Sequence, residues 1–284
     1  MKPAAFHYHA PKTVDEAVAM LAELAPQDGR VLAGGQSLVP TMAFRLAKPA
    51  HLVDINGVEA LNRLAVENGK LVIGACVRHA AFQRQVCDGP LGKLLSDVVR
   101  HIAHFPIRNR GTFCGSLAHA DPASEWALVL AALDGELLAK SAKGERVIAA
   151  REFFQGIMTT ALRDDELLAE ARLPVLAADT RCGFYEFSRR AGDFALAAAL
   201  ATYRIEGGKI VDPHVALGGV EVSPRRIAEA ERALAGAEPG DTAFRAAAAA
   251  AAAAVDPMED IINSAEFRRD LVLAVTRRAL ERAA

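Results

Sequence analysis

The sequence predicts an α+β protein in two domains, on three observations. Helically spaced apolar residues alternate with short apolar runs through the first half of the chain. The texture changes across Pro174 to Thr180, which sets the boundary between the two domains. Beyond it, Glu206-Gly207-Gly208-Lys209 has the chemistry of a hairpin turn between two strand-like segments. At 284 residues, the chain is long enough for each of two domains to bury its own core.

Thr13-Val14-Asp15-Glu16 reads as a capping box, and Val14, Ala17, Val18, Leu21 and Leu24 then mark one helical face as far as Pro26. Arg30 to Ala33 is a short strand that breaks into Gly34-Gly35-Gln36-Ser37. Leu52 to Ile55 and Leu71 to Gly74 are apolar and bounded by turn formers, as buried strands are. Leu91, Leu94, Leu95, Val98, Val99 and Ile102 give a second helical face between Pro90 and Ile102. A polar stretch from His104 to Gly111 and a second glycine loop follow. Asp121-Pro122 fits a helix start, with Trp126 to Leu133 continuing it. Glu136 to Ser141, Arg146 to Ala149 and Leu167 to Leu173 read as the strands that close the first domain.

In the second domain, alanine-rich Ala195 to Ile205 has helical propensity, yet the specific turn after it favours a β-hairpin with Ile210 to Gly218. Helices are expected over Pro224 to Leu234, through the nine alanines Ala246 to Ala254, and from Ser264 to the end. The alanines read as close helix packing, with no chemistry of their own.

Composition narrows the function. The 33 basic and 35 acidic side chains leave a formal charge of −2, so no field gathers a polyanion and nucleic acid is not an expected partner. No apolar run approaches the roughly 20 residues of a membrane span. Met1 to Ala10 lacks the apolar core of a secretory signal, which places the chain in the cytoplasm. Cys76, Cys87, Cys114 and Cys182 form no C-x-x-C pair, and no metal cluster or disulfide is expected. His7, His9, His101 and His104 have no metal-like pairing. Arg108, Arg110, Arg189 and Arg190 read as solvated charge ahead of a docking face.

The chemistry lies in the two glycine loops. Ala33-Gly34-Gly35-Gln36-Ser37-Leu38 follows a strand, and its paired glycines let main-chain N–H groups approach a phosphate with no Cβ in the way. It is neither a P-loop nor a G-x-G-x-x-G turn, and alone it is equally a simple turn. Gly111-Thr112-Phe113-Cys114-Gly115-Ser116-Leu117-Ala118-His119-Ala120-Asp121-Pro122 supplies a second small-residue loop. Two such loops beside apolar segments suit a ligand with two phosphates and long polar arms, as FAD has.

With A-G-G-Q-S-L first, I-R-N-R-G-T-x-x-G-S-L-A-H-A-D-P-A-S-E second and Phe184 to Ala195 third, the chain resembles the FAD-binding medium subunits of the xanthine dehydrogenase and aerobic carbon monoxide dehydrogenase family. The motifs keep their order, and the resemblance spans essentially the whole chain. It implies an FAD-binding domain of the vanillyl-alcohol oxidase (PCMH) type over 1–175, in subdomains of about 1–56 and 57–175, and a smaller domain of antiparallel strands and helices over 180–284. It further implies that Ala33, Gly34, Gly35, Gln36, Ser37 and Leu38 cradle the pyrophosphate. In the loop that begins at Gly111, Thr112, Gly115 and Ser116 would hold the phosphates or ribityl chain. His119, Asp121 and Glu125 would line the polar arms, and Leu162 would pack near the ring system.

Tyr185 or Glu186 would face the isoalloxazine, where some relatives carry lysine. Phe113-Cys114 is a second departure, since many members have isoleucine and glycine there; a lone buried cysteine reads as a small core residue ahead of a redox group. His119, just before a helix, is read as a cofactor contact only slightly ahead of a residue satisfying backbone carbonyls.

The resemblance assigns no catalytic side chain. It implies an oxidoreductase subunit that passes electrons from an iron–sulfur small subunit, served by a molybdopterin large subunit, through FAD to an external acceptor. The rival readings are a self-contained flavoenzyme and a non-catalytic flavin-binding module.

Overall fold

Strand β1 (His7–His9), helix α1 (Val14–Leu24), strand β2 (Gly29–Leu32), helix α2 (Leu38–Ala43) and strand β3 (His51–Asp54) build a first lobe in a computed structural model that describes residues 2–284. The strands are parallel, in the order β1-β3-β2. The Thr13 hydroxyl accepts from the Glu16 amide at 3.1 Å, as its capping role requires. The Glu16 carboxylate takes the Lys12 amide at 2.7 Å, so the reciprocal bond of the box is displaced by one residue. Ala17, Val18, Leu21 and Leu24 are buried, as their spacing predicts.

The second lobe comprises β4 (Leu64–Glu67), β5 (Lys70–Gly74), α3 (Gly89–Val98), α4 (Phe105–Arg110), α5 (Phe113–His119), α6 (Glu125–Ala132), β6 (Glu136–Ser141), β7 (Gly144–Ala149), α7 (Ala150–Phe153), β8 (Phe154–Gly156), β9 (Thr159–Thr160) and β10 (Leu167–Pro174). Five of these strands form an antiparallel sheet in the order β4-β5-β10-β6-β7. Every residue of α6 from Trp126 to Ala132 is buried, because the helix is covered on all sides, with β12 (Ala197–Glu206) and β13 (Lys209–Gly218) of the C-terminal part against it.

The polar stretch from His104 to Gly111 is helix α4, with Pro106 in its first turn, where a missing N–H costs nothing. The second glycine loop is itself helical over α5, with Thr112 as its cap. Helix α6 starts at Glu125 and not at Asp121: Ser124 caps it, while the Asp121 carboxylate accepts from the Ala123 amide at 2.9 Å in a local turn.

The C-terminal part is an antiparallel sheet, β11 (Arg181–Phe187), β12, β13 and β14 (Arg225–Arg226), in sequence order, with α8 (Ala228–Leu234), α9 (Asp241–Ala254) and α10 (Ala265–Ala283). The expected hairpin forms: Gly207 and Gly208 have φ of 58° and 79°, which a tight turn of this hand requires. Strand β12 carries alanines on both faces because both are covered. Ala197, Ala199, Ala201 and Tyr203 join one core with α9 and α10, while Ala198 and Leu200 join the core that the second lobe shares with α1 and β3. The helix expected from Pro224 begins only at Ala228, since Arg225 and Arg226 pair with Leu217 and Ala216 to complete the sheet edge. The alanine run lies inside α9, with Ala247, Ala248, Ala251 and Ala252 buried as close packing predicts.

Candidate flavin site

The two glycine loops meet. A Cβ built on Gly34 would stand 2.4 Å from the Arg110 carbonyl oxygen and 2.6 Å from the Gly111 α-carbon, so only glycine lets the lobes close there. Gly35, at φ +72°, turns the chain into α2, and the Gln36 side-chain amide holds the Gly34 carbonyl at 3.0 Å. Among the described residues, the main-chain N–H groups of Gly34 through Leu38 have no internal acceptor; the first bond of the turn runs from the Val39 amide to the Gly35 carbonyl. A run of unpaired N–H donors beside a close backbone contact is what an anionic group needs.

On the other side, the Thr112 hydroxyl accepts from the Gly115 amide at 3.0 Å and is buried, so its first task is to cap α5. A Cβ on Gly115 would come within 4.0 Å of the Ala33 side chain, which places α5 directly across from the first loop. Behind it, Phe82, Phe113 and Trp126 form an aromatic cluster with ring centroids 4.8 to 5.5 Å apart, anchoring the start of α5. The Trp126 indole donates to His79 Nδ1, and burial, with the Arg78 and Arg108 charges, lowers the His79 pKa to about 4. Cys114 is buried, its thiol against the Ile73 carbonyl at 3.4 Å and pushed strongly up by desolvation: a core residue.

A cavity of about 350 Å³ opens between the lobes, lined by Ala33, Gly115, Ala118 and Leu162 among others. Three of the expected cofactor residues are thus on one wall system with the loops. Ser116, His119, Asp121 and Glu125 follow along α5 and into α6, all half-buried. Burial first, partly offset by its own amide, and then the Asp121 charge raise the Glu125 carboxyl to about 7. Burial and the Glu125 charge raise Glu186 to about 8, and its buried Oε2 has no hydrogen-bond partner.

Tyr185 and Glu186, neighbours on β11, point to opposite faces of the sheet. Tyr185 is turned away from the lobes, its ring 4.9 and 4.7 Å beneath the guanidinium groups of Arg278 and Arg282 on α10. Glu186 therefore remains as the side chain that faces Glu125.

Sequence reasoning missed Asn56, Arg78 and His79. Asn56 donates to the Ala33 carbonyl at 2.7 Å and accepts from Arg78 Nη2 at 2.5 Å, while Arg78 Nη1 donates to the Arg110 carbonyl. Arg108 is also more than solvated charge: its Nη1 caps the carbonyls of Ile102 and Ala103 at 2.7 and 2.9 Å.

Free amides on a glycine turn in one lobe, set against a capped small-residue helix in the other, suit a diphosphate-bridged cofactor. Comparison with known proteins agrees. The family described as the FAD binding domain in molybdopterin dehydrogenase matches residues 4–176, and the CO dehydrogenase flavoprotein C-terminal domain matches residues 183–283. The chain belongs to the FAD-binding medium subunits of the molybdenum hydroxylase family, and it is an oxidoreductase subunit that binds FAD.

It is 39% identical to the caffeine dehydrogenase subunit beta of Pseudomonas sp. (strain CBB1), over 100% of this chain and 96% of the relative. It is 36% identical to the nicotine 6-hydroxylase medium subunit of Paenarthrobacter nicotinovorans, over 99% and 98%. Among solved structures, carbon monoxide dehydrogenase from Hydrogenophaga pseudoflava superposes with a TM-score of 0.95 at 36% identity, covering 100% of this chain and 98% of that one. Among the described residues, no helix is long and apolar enough to cross a membrane, and no group of three or more metal-ligating side chains is present.

Proposed function

We propose that this chain is the electron-transfer subunit of a cytoplasmic molybdenum-containing hydroxylase, taking electrons from an iron–sulfur small subunit served by a molybdopterin large subunit and delivering them to an external acceptor. The reading rests on the contact between Gly34 and Gly111 with its adjacent free amides, and on relatives that are medium chains of carbon monoxide and glyceraldehyde dehydrogenases. Bound FAD supplies the capacity to exchange one or two electrons. The chain supplies grip and orientation.

In this reading residues 1–175 form a two-lobed domain of the vanillyl-alcohol oxidase type, residues 180–284 form the second domain, and the cofactor lies where the lobes meet. The amides of Gly34, Gly35, Gln36, Ser37 and Leu38 donate to its diphosphate from one side. Thr112, Gly115 and Ser116 face it from the other, next to Gly111. Leu162 offers an apolar wall, and His119, Asp121, Glu125 and Glu186 line the polar side. None of these side chains is assigned a bond-breaking role.

Purification from the native host tests the assignment. Co-elution of the chain with subunits carrying iron, labile sulfide and molybdenum, and reduction of its flavin when the complex is given substrate, is the expected result. Turnover by the isolated chain would make it a self-contained oxidoreductase, and a flavin that neither accepts nor passes electrons would make it a binding module.

A further inference from the structure

The close approach of the loops is secured by side chains that belong to neither loop. Asn56, just after β3 in the first lobe, uses its amide nitrogen on the Ala33 carbonyl at 2.7 Å. Its amide oxygen receives Arg78 Nη2 at 2.5 Å, and the other arm of that guanidinium reaches the Arg110 carbonyl, next to Gly111, in the second lobe. The Asp54 carboxylate fixes Asn56 from behind, accepting its main-chain N–H at 2.9 Å, and is itself held by the Tyr8 hydroxyl at 2.6 Å. One continuous run of hydrogen bonds therefore passes from the first glycine turn to the second, across the junction of the lobes. Among the described residues, Arg78 reaches the Asp54 carboxylate only through the Asn56 amide, which donates to Asp54 and accepts from Arg78.

We propose that Asn56 and Arg78 are positioning residues of the flavin site: together they clamp the carbonyls of Ala33 and Arg110 so that the free amides of Gly34 to Leu38 are aimed at the diphosphate from a fixed distance to α5. The proposal rests on the FAD reading of the site. Arginine suits the position because its planar fork carries donors on two separate nitrogens, one for each acceptor, whereas a lysine presents all its donors from a single nitrogen. The amide of Asn56 is required because one side chain must donate to Ala33 and accept from Arg78.

The test is a double-mutant cycle on the full chain, with FAD as the probe and quenching of its fluorescence as the readout. Asn56→Ala and Arg78→Ala should each weaken FAD binding by roughly 10- to 100-fold, since hydrogen bonds to charged groups are involved. The double variant should be no weaker than the poorer single one, because either change opens the same clamp. Arg78→Lys, which keeps the charge, should not recover the lost affinity. Should Asn56→Ala fail to fold, the similarly shaped Asn56→Leu, which removes both hydrogen bonds without adding charge, should show the same loss.

Wild-type affinity in either single variant, full additivity, or recovery by lysine would overturn the clamp, as would a lowered unfolding temperature of the FAD-free chain with affinity unchanged. A wild-type chain that takes up no FAD would instead overturn the reading of the site beneath it, and the clamp with it.

Discussion

Trp126 Nε1 donates to His79 Nδ1 at 2.9 Å, and the far nitrogen of the same imidazole lies 2.5 Å from where a Cβ on Gly111 would be. One ring thus links the core of the second lobe to the second glycine turn. It does so as a neutral imidazole, because its Nδ1 is an acceptor and burial holds its pKa near 4.

The consequence is a pH dependence of defined sign. A histidine with a folded pKa of about 4 and an unfolded value of 6.5 contributes its full stability above pH 6.5 and loses it as the pH falls toward 4, because the unfolded chain binds the proton more tightly. The loss amounts to about 3 kcal/mol. Urea unfolding at pH 7.5 and pH 4.5 should show it, and His79→Gln should flatten that slope.

Glu186 acts in the opposite direction. Its carboxyl is raised to about 8 by burial and by the Glu125 charge, so it favours the folded state while protonated. That contribution is present below pH 4.5 and is lost as the pH rises through 8. Glu186→Gln should therefore unfold at a higher temperature than wild type at pH 9, with a smaller difference at pH 5. Calorimetry at the two pH values measures it.

Gly34→Ala should keep the secondary structure but push the two lobes apart, and so weaken FAD binding roughly tenfold or more, since a Cβ there meets main chain of the second lobe. Titration of the FAD-free variant with FAD, beside a circular dichroism spectrum matching wild type, checks both halves of the expectation.

Gly183→Ala probes a different closure. A Cβ at this position of β11 would stand 1.9 Å from the Ala279 carbonyl oxygen and 2.7 Å from the Ala283 amide nitrogen, so α10 must move off the sheet. Overpacking of this kind costs about 1–3 kcal/mol. A lowered unfolding temperature with FAD affinity nearly unchanged is the expected outcome.

What could be read from the sequence divides along a physical line. The first glycine loop was legible because the absence of a side chain at Gly34 and Gly35 is itself the local signal. The hairpin at Gly207 and Gly208 was legible because turn chemistry outweighs alanine's helical propensity once both residues need positive φ. Helix α5 was not, since its seven residues are too few for periodicity and Gly115 sits within it.

The bonds of Arg78 to Asn56 and of Trp126 to His79 join residues 22 and 47 positions apart, and no short-range pattern announces such pairs. Tyr185 and Glu186 could not be told apart because neighbours on a strand face opposite ways, and only the packing of α10 says which way is out. Arg225 and Arg226 were read as helix because their pairing partners lie in another strand.

Hydrogen–deuterium exchange of the full chain with and without FAD tests the central claim most directly. Convergence of the loops on the cofactor predicts slowed exchange at the amides of residues 34–38 and 112–116 together, with α9 unaffected. Bound flavin that leaves both segments exchanging as they do in its absence would contradict the account.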